Sequence, residues 1–153
     1  MTRWGLVAAA ATAASALVGT VGTRPKNAWY RALKKPVWQP PPWAFPLAWT
    51  PLYVSIAWSA SRSLRAAPAG SRRRTYAAAL TGDLVLNAGW CWAFFAARSL
   101  PAGLATIVAL DGANLALIDR TARLDRAAAA ALLPYVAWTG FATVLNLALW
   151  RRN

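Results

Sequence analysis

Two carboxylates stand inside apolar sequence, Asp83 about seven residues into the stretch 76–97 and Asp111 near the middle of 101–118. An ionised carboxylate at the centre of a membrane helix costs roughly 2.5 to 3.5 kcal/mol, so both are expected to face a protein interior. There they would line a ligand cavity or a proton path, or close a helix-to-helix hydrogen bond. Asp83 is also within reach of snorkelling side chains from Arg72 to Arg74. Asp83, Asn87, Trp90 and Phe94 recur at helical spacing, which puts them on one face, polar at one end and aromatic at the other. Asp111 and Asn114 likewise stand one turn apart.

Tryptophan is the second chemical resource, with 10 in the chain. Trp4, Trp29, Trp38, Trp43 and Trp150 fall near the ends of apolar stretches, where an indole keeps its ring in lipid and its N–H in water. Trp49, Trp58, Trp90, Trp92 and Trp138 fall inside them, where each N–H wants an acceptor. Trp58 and Trp92 are assigned to lipid contact or packing. Several of the others around one cavity would make a flat, electron-rich pocket suited to a planar apolar ligand such as a tetrapyrrole or a sterol. Trp138, Phe141, Ala142 and Leu145 form a second stripe, with Ala142 leaving room beside Trp138, although core packing would produce the same spacing. Cys91 reads as a small apolar residue.

The absent residues narrow the chemistry further. With 0 His, 1 Cys and 4 acidic residues, all Asp, the chain is not built for disulfides, His-ligated zinc, histidine acid-base catalysis or His-ligated haem. Neither a metal nor a resident cofactor is expected.

These groups must be positioned by elements suited to a chain that is 58% hydrophobic and 14% charged over 153 residues, too oily for a soluble domain of this size. The composition predicts an all-α fold, a single membrane domain over 1–153. Its five transmembrane helices lie near 4–22, 43–60, 76–97, 101–118 and 127–150. A cleaved signal peptide is the competing reading of 4–22. Residues 23–42 form a long structured loop in which Pro36, Pro40, Pro41 and Pro42 impose an extended path. Pro46 and Pro51 should bend the second helix toward protein or a cavity. Residues 61–75 read as a polar turn and 119–126 as a charged connection. The net charge of +13 is dispersed between apolar stretches, which fits membrane loops and not a nucleic-acid surface. Five spans put nine of the 17 basic residues on one side and eight on the other, so charge does not orient the bundle.

At this point the residues become recognisable. WYRALKKPVWQPP from Trp29 to Pro41, then the W-x-F-P-L-A-W-T-x-L-Y pattern from Trp43 to Tyr53, closely resemble the TspO/translocator family of tryptophan-rich membrane proteins. Asn87, Trp90, Phe94 and Phe95 match that family's third-helix motif, and Pro134, Tyr135, Trp138, Phe141, Ala142, Thr143, Leu145 and Asn146 match its fifth. The resemblance implies a five-helix bundle, usually a homodimer, whose cavity is closed by the first loop and binds porphyrins, sterols or drug-like molecules. It also argues that 4–22 is kept as a helix. By motif position it implies ligand contacts from Tyr30, Pro41, Trp49, Tyr53, Asn87, Trp90, Cys91, Trp138 and Ala142. Trp49 and Trp138 would be the catalytic pair if light-dependent porphyrin breakdown occurs. Val144 stands where sterol-binding members carry Tyr, which argues against a sterol role tied to that motif.

The expected function is thus a porphyrin-binding sensor or regulator in a membrane, with a bacterial source suggested by the alanine- and arginine-rich composition. A small-molecule or sterol exporter using Asp83 or Asp111 is the alternative.

Overall fold

The computed structural model describes residues 2–153 and is helical throughout, with no strand among the described residues. Helix α1 is Arg3–Gly22, α2 is the short Ala28–Ala32, α3 is Ala44–Ala66 and α4 is Ser71–Cys91. A π-helical turn, Trp92–Ala96, extends α4, and α5 (Leu100–Ala122) and α6 (Arg126–Arg152) follow.

Several helix starts are written locally. Thr2, Asn27, Ser99 and Asp125 each accept a first-turn backbone N–H, satisfying a donor the helix leaves open. The Asp125 carboxyl is held below the usual carboxylate range by the Ala128 N–H and by the Arg62 guanidinium, 2.7 Å away. A depressed carboxylate adds stability above its ordinary pKa, and that stability is lost as pH falls through the lowered value. Asp125→Asn is therefore expected to flatten the loss of thermal stability between about pH 5 and pH 3. An unchanged acid slope in a detergent melting series would reject this.

The long helices close a ring in the order α1, α3, α6, α5, α4 and back to α1. Hydroxyls and amides stitch the seams: Ser15 donates to the Leu84 carbonyl at 2.8 Å, Ser59 to the Ala128 carbonyl at 2.9 Å, and Asn114 to Thr139 Oγ1 at 3.0 Å. Such bonds, with small residues such as Ala8, Gly19 and Gly22 on the buried side of α1, are how helices associate where lipid removes the hydrophobic incentive.

α1, α5 and α6 are long and apolar enough to cross a membrane, and the chain is an integral membrane protein. α3 and α4 match them in length but carry Arg62, Arg65 and Arg72 to Arg74 at one end. Those ends correct the expected boundaries. The turn expected at 61–75 is only Ala67 to Gly70, and α5 runs through the first half of the charged connection expected at 119–126. Hydropathy falls at the first arginine, whereas the helical hydrogen-bond ladder continues into water until a breaker arrives. Pro68, which holds Ala67 extended at ψ 126°, is that breaker for α3, and Gly70, at φ 103°, precedes the start of α4. The expected loop also holds a helical element, α2, which the Asn27 cap initiates.

Candidate functional site

α4 presents its polar face to the centre of the ring. Asp83 is fully buried and Asn87 nearly so. Tyr53 of α3 donates its O–H to Asn87 Oδ1 at 2.8 Å, Asn87 Nδ2 donates to the Tyr135 hydroxyl at 2.9 Å, and Tyr135 donates to Asp83 Oδ2 at 3.1 Å. Asn87 thus joins α3, α4 and α6, using each half of its amide once. No arginine pairs with Asp83 among the described residues; Arg73 instead caps the Ala67 carbonyl. Asp111, half-buried, accepts from Thr143 at 2.6 Å, a helix-to-helix bond away from this network.

One turn further along α4 the surface becomes aromatic. Trp90 stacks on Phe94 with centroids 5.4 Å apart and donates to Asn146 Oδ1 of α6 at 3.3 Å. The π-helical turn then brings consecutive rings, Phe94 and Phe95, both inward. α2 sits on them: Trp29 packs edge-on against Phe94 and Tyr30 against Phe95, at 5.6 and 5.1 Å. Gln39 donates to the Tyr30 hydroxyl, Lys35 Nζ lies 4.6 Å from the Tyr30 ring, and Trp38 packs on Phe141 of α6. Burial pushes the Tyr30 phenol above its ordinary pKa against the opposing effect of Gln39.

Beneath this loop lies a cavity of about 510 Å³. Its walls come from the last turns of α1 (Gly19, Thr20), from Gln39 and Pro42, from Phe45, Trp49 and Tyr53 of α3, and from the aromatic end of α4. Leu145, Asn146 and Leu149 of α6 complete it. No charged side chain among the described residues lines it.

Of the residues expected to meet a ligand, Tyr30, Trp49, Tyr53, Asn87, Trp90 and Cys91 line this cavity. Pro41, Trp138 and Ala142 do not; Pro42 takes the place expected of Pro41. Trp138 stands behind Trp49, edge-on with centroids 6.5 Å apart, and Ala142 is buried in the α6 seam. Trp58 is exposed under the Arg62 guanidinium, and Trp92 donates to the Val18 carbonyl at 3.0 Å. The sequence reading missed Gln39, Phe45 and the α1 wall. The helical spacing of small residues in α1 is the only sequence signal that it packs closely, and nothing in it marks a ligand.

A helical membrane bundle with an aromatic, uncharged cavity under a structured basic loop defines a class of membrane ligand-binding protein. The profile of the TspO/MBR family matches residues 6–151. The chain is 32% identical to the tryptophan-rich protein TspO of Chlorobaculum tepidum over 88% of its own length and 85% of the relative's. It is 32% identical to the tryptophan-rich sensory protein of Cereibacter sphaeroides, over 98% and 92%. It is equally similar, at 32%, to the human translocator protein, over 82% and 75%. The chain belongs to the TspO/MBR family.

Proposed function

We propose that this chain is a tetrapyrrole-binding sensor or regulator of a bacterial cell membrane. The observation that carries the reading is the cavity: aromatic walls without charge, closed by a loop that carries Arg24, Lys26, Arg31, Lys34 and Lys35 and no acidic residue. A planar apolar ring system with peripheral carboxylates fits that division, its core among Trp49, Trp90 and Phe94 and its acids toward the loop. The cavity volume lies inside the range of about 300 to 1,000 Å³ usual for ligand sites.

Titrating protoporphyrin against tryptophan fluorescence in the dark tests this. Saturable quenching is expected, with affinity reduced about tenfold by Trp49→Ala and less by Trp138→Phe, which perturbs only the ring behind. Quenching that never saturates, or that ignores both substitutions, rejects the reading. A second, photochemical reading rests on the Trp49 and Trp138 contact, which gives an indole at the cavity a neighbouring indole to share a radical. It predicts light-dependent porphyrin loss that Trp49→Phe abolishes; equal bleaching in detergent alone removes it.

A further inference from the structure

A second recess, about 390 Å³, opens at the opposite end of the bundle from the aromatic cavity. It is lined by Ser71, Arg72, Thr75 and Tyr76 of α4, by Arg120 in the last turn of α5, and by Arg123 just beyond it. Its charge is poorly compensated. Arg123 is held by Asp119 through two 3.0 Å bonds, but Arg120 meets only the Ala116 carbonyl, and Arg72 has no hydrogen-bonding partner among the described residues.

One further observation points to an anion. α4 begins after Gly70, which has no side chain to cap it, so the positive end of the helix opens here with its first-turn N–H groups uncapped. A phosphate oxyanion would accept from the guanidiniums and from the helix end at once. The recess lies where the apolar part of the helices gives way to their arginine-bearing ends, which is headgroup depth.

We propose that this recess binds the phosphate of an anionic phospholipid headgroup, with Arg72 and Arg120 as its principal donors. Asp119 occupies Arg123, which makes that residue the lesser contributor. The site is independent of whatever fills the aromatic cavity.

The experiment is native mass spectrometry of the full chain released from detergent with equimolar phosphatidylglycerol and phosphatidylcholine, and separately with inorganic phosphate. Each basic group at the membrane surface is worth about fivefold in affinity for anionic lipid, so phosphatidylglycerol should be retained about twentyfold over phosphatidylcholine. Arg72→Gln with Arg120→Gln should bring the two lipids to near parity. Arg151→Gln with Arg152→Gln, at the other end, should leave the ratio within about twofold. Melting curves of both double variants confirm that they are folded. A preference that survives Arg72→Gln with Arg120→Gln, or that falls equally in the control, overturns the proposal. A saturable phosphate adduct that needs Arg72 and Arg120, without lipid preference, upholds the anion site and overturns its assignment to lipid.

Discussion

Replacing Asn87 with leucine is expected to lower the stability of the folded bundle by about 1 to 3 kcal/mol, because it cuts two interhelical hydrogen bonds at once. Individual bonds of this kind in membrane proteins average about 0.6 kcal/mol and reach about 1.7. Asn87 exceeds a single bond because of its position. It accepts from Tyr53 and donates to Tyr135, so its loss leaves the Tyr53 phenol proton without its acceptor and removes the donor that orients the Tyr135 hydroxyl toward Asp83. The Tyr53 O–H, freed from α4, would turn toward the cavity, so ligand affinity should change along with stability. Reversible unfolding in mixed micelles measures the first effect and a ligand titration the second. A cost below about 0.5 kcal/mol would mean that the amide is not the joint the geometry makes it.

The second large effect is a matched pair on one helix. Gly103 and Gly112 both lie in α5, and Gly→Ala in a helix interior ordinarily stabilises by roughly 0.5 to 1 kcal/mol. At Gly112 a new methyl meets open space, so that gain is expected. At Gly103 the methyl would stand 2.8 Å from the Phe94 ring and 3.1 Å from its Cβ, with Asn146 Oδ1 at 3.3 Å. Phe94 cannot retreat freely, being stacked on Trp90 and covered by Trp29. Overpacking of this kind costs about 1 to 3 kcal/mol. The same substitution should therefore raise the melting temperature at Gly112 and lower it at Gly103, where it should also weaken binding in the cavity that Phe94 lines. Equal signs at the two sites would reject the close packing of α5 against the π-helical turn.

What the sequence made legible follows the physics of each element. Apolar stretches marked the place of each long helix, and of these α1, α5 and α6 are apolar enough to cross a membrane. Helical spacing placed Asp83, Asn87, Trp90 and Phe94 on one inward face, which the bonds to Tyr135 and Asn146 now explain. The helix ends were not legible, since Arg62 and Arg65 of α3 and Asp119 and Arg120 of α5 are polar yet remain in the ladder. The division between Trp49, on the cavity, and Trp138, behind it, was equally hidden. Both have the same residue type and similar helical surroundings, and only the rotation of α3 against α6 decides which ring is in front.

The π-helical turn has a consequence for the loop above it. In a regular helix, neighbouring residues point about 100° apart, and a wider π turn lets two consecutive large rings point more nearly the same way. Phe94 and Phe95 together become the seat on which Trp29 and Tyr30 rest. The resting place of the loop thus depends on the winding of the backbone beneath it as well as on the loop's own prolines. Tightening that one turn to α geometry would rotate the seat without altering a single loop residue.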